Sequence, residues 1–459
     1  MAMTIILTDD NGNQLKTIKA NINKQSWEDD CFTLGCELAK ELATQYLKEL
    51  DDKLNKERSK DLSVKDIRER TILTRFGHIA VRRRIYKDKQ RKHHYLLDEY
   101  LNWRPNQQAT PDLTSDLIDS ATKMSFRDAC MEAEKYTVGV ISASTVHRLL
   151  QRVTKDTICK EKEQWESWFL SETMKLPPPG ERKVSTLFVE ADGVWLHLQR
   201  EKQKHYELKS AIAYEGWDED RLVNKRVYCR GDDNIPFWEG ASLQWDKYWD
   251  MGYVELIVLG GDGANWIKSG VEEMGYCVYQ LDGFHLSRSC RRGWEKGKEI
   301  YEAIRNGRDI QVELKRRSGK EAEKERVKVL KQKEIGIDWR KKAEGRDYPE
   351  GSRGLGTMEG NESNLIADRM KDRGMSWTIH GAQGMGKAIE LVYNGELSNW
   401  CGRNPLKERD CVNSFSFDLF SYKDAYKEQV SMPALYGQHA SRPWVRVLKE
   451  LTTLNYPLY

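Results

Sequence analysis

Thr186-Leu187-Phe188-Val189-Glu190-Ala191-Asp192-Gly193-Val194-Trp195-Leu196-His197-Leu198 is the stretch on which the fold turns. Thr186 to Ala191 is a β-rich apolar run that delivers an acid, Asp192. Gly193 lets the backbone turn or approach a neighbour, and extended structure resumes at Val194. Glu207 to Tyr214 reads as a third strand. Val254 to Gly260 is a fourth, and it delivers Gly261-Asp262-Gly263-Ala264 before a helix begins near Asn265-Trp266-Ile267. Cys277 to Leu281 is a fifth short strand running into Asp282-Gly283-Phe284-His285.

Three successive strands followed by strand, helix and strand is the order of a ribonuclease H-like mixed five-stranded α/β sheet. Adjacency of the first and fourth strands would bring Asp192 and Asp262 together. Either acid alone is an ordinary turn or helix-cap aspartate. As a pair they would repel unless a divalent cation held them, and hard carboxylate oxygens suit Mg²⁺. A third carboxylate is expected within Gly354 to Ile366, where Glu359 and Glu362 lie three residues apart and one helix face presents both. Between Asp282 and Gly354 lies a helical insertion, about 287–350, rich in Lys, Arg and Glu.

Upstream, Ser26 to Leu54 has helical apolar spacing, so residues 1–62 read as an N-terminal helical region. Residues 63–105 form a small basic β element, with two strands in Thr71–Tyr86 joined at Phe76-Gly77. Arg82, Arg83 and Arg84, with Lys87, Lys89, Arg91 and Lys92, make the densest basic cluster in the chain. Such a cluster is either a solvated strand face or a phosphate contact. Residues 106–176 read as helices. Pro111–Lys123 is one; Ser125 and Ser142 each open another, in the layout of a helix-turn-helix. That layout would turn Ser142, Ser144, Thr145 and Arg148 toward a major groove. Pro177-Pro178-Pro179-Gly180 reads as a linker to a separate domain over 181–400, leaving 401–459 as a C-terminal segment. Gly384-Met385-Gly386-Lys387 lacks full phosphate-loop spacing and reads as a loop.

The 459 residues are 39% hydrophobic and 32% charged, enough to fold and too many for one ordinary core. Basic and acidic residues number 75 and 72, a balance that neither marks nor excludes a basic binding face. No leader and no membrane-length apolar run is seen, so a soluble cytoplasmic protein without membrane contact is expected. The nine cysteines are scattered without a C-x-x-C pair, so neither a zinc ribbon nor a disulfide framework is indicated and they read as reduced core residues.

Thr71 to Tyr86, Glu190 to Arg200, Gly261 to Ile267, Leu281 to Leu286 and Met358-Glu359-Gly360-Asn361 together resemble the ISLre-type insertion-sequence transposases of bacteria, over about 65–400. The resemblance implies a DDE transposase of ribonuclease H-like fold. Asp192 and Asp262 match its first two acids, and Glu359 the third. Asp282-Gly283-Phe284-His285 is similar to the [C/D]-x-x-H signature of Mutator-like and hAT-like transposases, which implies that Asp282 and His285 support the site without binding metal. Two Mg²⁺ or Mn²⁺ ions would serve water-driven phosphodiester cleavage and attack by the freed 3′-hydroxyl on target DNA. Implied partners are double-stranded DNA (terminal repeats and target), contacted by Arg82, Arg83 and Arg84, and further copies of the chain in a homodimer or larger synaptic complex. A nucleoid-associated protein is implied when DNA is bound. The alternatives are a metal-dependent nuclease or resolvase that does not join strands, and an inactive domesticated DNA-binding protein.

Overall fold

β-Branched residues decide the first element, and it is a hairpin. In the computed structural model β1 (Ala2–Thr8) pairs antiparallel with β2 (Gln14–Asn21). The structure describes residues 2–8, 14–137, 141–170, 178–219, 221–231, 234–310, 315–358, 366–371 and 374–402, all inside one unit, 1–404. The expectation of helix throughout 1–62 is corrected: Thr4, Ile5, Ile6, Thr17 and Ile18 are β-branched and favour strand. Helical spacing takes over in α1 (Trp27–Glu57). The expected β element follows as β3 (Ser63–Thr74), β4 (Gly77–Lys87) and β5 (His93–His94), then α2 (Leu96–Tyr100). Gly77, at φ 103°, makes the tight return into β4 that a side chain would strain.

Three helices come next. These are α3 (Pro111–Lys123), α4 (Phe126–Glu134) and α5 (Ala143–Phe169). Ser125 and Ser142 cap α4 and α5 by accepting from the amides of Asp128 and Thr145. All three helices pack into the same core as the sheet: Leu113, Leu117, Val146 and Leu150 share a cluster with Phe188, Leu208 and Ile212. The reading of Pro177–Gly180 as a boundary between separate domains is therefore corrected, because apolar burial runs across it.

The sheet contains β6 (Thr186–His197), β7 (His205–Tyr214), β10 (Arg226–Arg230), β11 (Leu256–Gly261) and β12 (Cys277–Leu281). A separate ribbon of β8 (Gly216–Asp218) and β9 (Arg221–Val223) precedes β10. Strand order is β10-β7-β6-β11-β12, with β6, β7 and β10 antiparallel in turn and β11 and β12 parallel to β6. The expected five-stranded mixed sheet is present, but two assignments within it change. Gly193 does not divide β6, which pairs with β7 from Phe188 to His197. The third strand is instead β10, a run of only five residues with an arginine at each end.

Odd residues of β6 (Leu187, Val189, Ala191) pack toward α6 (Phe237–Trp245) and one half of the core. Even residues (Phe188, Val194, Leu196) pack into the other half with α5 and α14 (Ile379–Tyr393). Short α7 (Asn265–Lys268) and α8 (Gly270–Glu273) connect β11 to β12. The expected helical insertion appears as α9 (Gly283–Gly293), α10 (Gly297–Arg305), α11 (Lys320–Gln332) and α12 (Trp339–Lys342). The described chain ends with α13 (Asp368–Met370), α14 and α15 (Leu397–Cys401). Gly384–Lys387, read as a loop, lies inside α14, because its glycines let the helix pack closely on Leu208 and Gln151. Of the eight described cysteines, Cys31 and Cys159 are exposed rather than in the core. Among the described residues no helix is long and apolar enough to cross a membrane.

Lys387 of α14 explains how the N-terminal helices and the sheet are held together. Its ammonium donates to Glu161 of α5 at 2.9 Å and to Glu390 at 2.7 and 2.8 Å. Glu390 in turn accepts from the Cys229 amide of β10 at 2.8 Å. All three charged side chains are buried. Removing the cation strands the Glu390 carboxylate in low dielectric and leaves Glu161 only the Arg230 guanidinium at 3.7 Å, so Lys387→Met should cost about 3–5 kcal/mol. Thermal and denaturant unfolding should show that loss, with Glu390→Gln affected less because one pair survives.

Candidate active site

Strand register assembles the site. Ala191 of β6 aligns with Gly261 of β11, and Gly261 aligns with Leu281 of β12. The next residue on each strand is an aspartate, so Asp192, Asp262 and Asp282 stand level across three neighbouring strands, about 4.8 Å apart strand to strand. All three line one narrow pocket with Glu190, His285, Leu355 and Met358. Asp192 and Asp262 are half-buried, each with one oxygen on a local amide: Gly193 N at 2.7 Å and Ala264 N at 2.8 Å. Gly263 permits the second turn with φ at 94°.

Asp282 is engaged differently. It caps α9, its Oδ1 accepting from the amides of Phe284 at 2.9 Å and His285 at 3.0 Å, and it lies 3.1 Å from His285 Nδ1. Burial alone would raise the Asp282 carboxyl; these donors hold it below the ordinary value. His285 is raised, first by its hydrogen bond to Asp282 and then by the charges of Asp282, Asp192 and Asp262. Asp282 thus favours the charged form of His285 beside the Asp192 and Asp262 carboxylates. Deeper in, the Tyr279 hydroxyl donates to Gly261 O at 3.0 Å, with burial and Asp262 pushing its ionisation up.

Glu190, to which sequence reading attached no role, is the best-anchored acid of the pocket. Two residues before Asp192 on the same face, it is buried. Its Oε2 accepts from the amides of Gly356 at 2.9 Å, Thr357 at 2.8 Å and Met358 at 3.1 Å. Its Oε1 accepts from the hydroxyls of Tyr214 at 2.6 Å and Thr357 at 2.5 Å. Gly260 makes room for this arrangement, since a Cβ there would come within 2.8 Å of Leu355 and 3.3 Å of Glu190. Only a glutamate within an otherwise apolar strand hinted at it. Glu359 and Glu362 lie outside the described residues, and among the described residues no three His, Cys, Asp or Glu side chains form a group suited to a metal ion.

The residues read as DNA contacts are spread out. Arg83 pairs with the buried Asp98 and stacks 4.4 Å over Tyr95, while Arg84 bonds Asp51 at 2.6 Å and Asp52 at 2.7 Å. These two arginines fasten α2 and α1 to β4. Arg82 is exposed opposite Glu69. Ser142, Ser144 and Arg148 are exposed at the start of α5 and Thr145 partly so, with Ser142 spent on capping and Arg148 turned back on Ser144 O at 3.3 Å.

A model of the uncharacterised protein family UPF0236 matches residues 11–402. A UPF0236 protein of Streptococcus gallolyticus, named for the 3′ region of vanSb, is 27% identical over 441 residues, 88% of this chain and 89% of its own. Two UPF0236 proteins of Caldanaerobacter subterraneus subsp. tengcongensis are each 25% identical. One covers 78% of this chain and 75% of its own, under a name joining eleven locus designations. The other covers 76% and 73%, under a name joining four.

Substituting Glu190 by Ala leaves three amides and two hydroxyls without their acceptor inside the protein. A loss of at least about 3 kcal/mol is expected in thermal or denaturant unfolding, at roughly 1–3 kcal/mol per stranded group after partial relaxation. Glu190→Gln, which keeps one acceptor oxygen, should fall between.

Proposed function

The chain belongs to the uncharacterised protein family UPF0236, and from that footing we propose that it is a metal-dependent DDE-type transposase, cutting DNA at the ends of a mobile element and joining those ends to target DNA. One observation carries the reading: Asp192 within β6 stands level with Asp262 and Asp282, which directly follow the last residues of the two neighbouring parallel strands. The sheet supports it, because an antiparallel trio followed by two parallel strands, ordered 3-2-1-4-5, is the ribonuclease H-like arrangement.

Asp192 and Asp262 suit Mg²⁺ or Mn²⁺, being half-buried hard-oxygen donors side by side whose mutual repulsion a cation would relieve. Glu359 follows Met358, a residue of the same pocket, by one peptide bond, and is the acid we assign as third. Bound there, divalent ions would supply an activated water and stabilise charge on the phosphodiester oxygens. The protein's own residues do the rest. Asp192 and Asp262 concentrate negative charge on one side of the pocket. Asp282 is committed to capping α9 and orienting His285, which sets a donor at the pocket edge. Glu190 fixes the backbone that leads into Glu359.

The relatives add support of another kind. Names that join eleven and four locus designations describe single proteins encoded repeatedly in one genome. A gene that is moved or copied by its own product accumulates in this way. The substrate we assign is double-stranded DNA, and one catalytic subunit at each element end would make a dimer or larger complex.

Asp192→Asn and Asp262→Asn should each reduce Mg²⁺-dependent cleavage of element-end DNA by at least about a thousandfold, with folding and DNA binding kept. Cleavage at the wild-type rate in either variant would sink the assignment. Strand transfer into a supercoiled plasmid separates a transposase from a nuclease that cuts without joining. Glu359→Gln assayed beside Glu362→Gln identifies the third acid: only the former should abolish cleavage.

A further inference from the structure

The starts of α4, α5 and α14 meet around a groove beside the turn from β6 to β7. Phe126, Arg127, His147, Arg200, Arg369 and Trp377 give it its character, and its volume of about 580 Å³ is ample for a nucleotide unit. Three features favour an anion. Each helix start carries a partial positive charge, and these are helices of 9, 27 and 15 residues. Arg127 and Arg200 are exposed, and among the described residues neither is paired with a carboxylate. Arg369 adds a buried guanidinium between Phe126 at 5.4 Å and Trp377 at 5.3 Å. Among the described residues no acidic side chain lines the groove; Glu201, close by, accepts from the Ile379 amide at 3.3 Å.

The rest of the lining suits a base. His147 meets the edge of Phe126 at 5.4 Å, and burial holds its imidazole below the ordinary value, which favours the neutral ring with one donor and one acceptor. Position matters as well. From Asp192, β6 runs five residues to His197, about 17 Å at roughly 3.3 Å per strand residue, and Arg200 follows in the turn beyond it. A DNA strand covers that distance in about five nucleotides at 3.4 Å each.

We propose that this groove holds the phosphodiester backbone of a DNA strand about five nucleotides from the catalytic carboxylates, gripped by Arg127, Arg200 and the three helix starts. The proposal rests on the reading of the chain as a DNA-cutting and joining enzyme, and adds a second anchor for its substrate.

The test is fluorescence anisotropy of the full chain with element-end duplex across a salt series. It compares wild type with Arg127→Ala/Arg200→Ala and with the paired lysine variant. The alanine variant should bind about tenfold more weakly, with the log–log salt slope smaller by roughly 2, at about 0.9 per phosphate contact. The lysine variant should keep the wild-type slope, and both should keep the wild-type melting temperature because the two side chains are exposed. Wild-type affinity and slope in the alanine variant overturn the groove while leaving the functional reading intact. Failure of the wild-type chain to bind or cleave DNA at any salt overturns that reading, and the groove with it. Inorganic phosphate and a mononucleotide are titrated in parallel. Saturation by either without competition against DNA marks a small-anion site and overturns the strand assignment.

Discussion

Parallel pairing of β11 with β6 on one side and β12 on the other, in the register that aligns Ala191, Gly261 and Leu281, sets most of what is distinctive about this molecule. A slip of one residue would turn Asp192 or Asp262 to the opposite face of the sheet, among Leu187, Val189 and Leu259. The apolar runs on both faces make such a slip expensive, so a hydrophobic pattern ends up positioning charges. Three carboxylates at one level remain an electrostatic burden. It is lowered where the structure can lower it locally: amides of Gly193 and Ala264 serve Asp192 and Asp262, and the start of α9 with His285 serves Asp282.

Glu190 extends the same principle to distant sequence. Its carboxylate serves as a cap for the backbone at 356–358, some 166 residues away, and the absence of a side chain on Gly260 clears the approach. The acid nearest Asp192 in sequence is therefore the one least available to a ligand. In a family of buried carboxylates around one pocket, hydrogen-bond saturation is what separates scaffold from reactive group.

Much of this was legible in the sequence. Asp192, Asp262 and Asp282 each end or interrupt an apolar run beside a glycine, so local pattern alone singles them out, and helical insertion after Asp282 follows from its richness in Lys, Arg and Glu. What sequence concealed depends on partners remote in the chain. The pairing of Arg83 with Asp98 and of Arg84 with Asp51 makes two members of a basic cluster into fasteners for α2 and α1. Strand β10 is too short to announce itself between charged residues. Gly384–Lys387 looks like a loop until the α5 and β7 surfaces that demand small residues are in place, and Glu190 is silent without the segment it caps.

Helix α5 joins these themes. Its first turn opens on the groove and carries exposed Ser142, Ser144 and Arg148, while its last third delivers Glu161 to Lys387 and Trp165 to Glu239 of α6 at 2.6 Å. Shifting α5 against the sheet would pull one carboxylate from a buried cation and another from an indole donor. Breaking the buried ion pair alone costs about 3–5 kcal/mol. Because that exceeds what a few surface contacts with a ligand return, whatever docks at the start of α5 meets a helix already fixed in place. Its distance from Asp192 is then set by the fold and not by the ligand, and the span between groove and carboxylates works as a ruler.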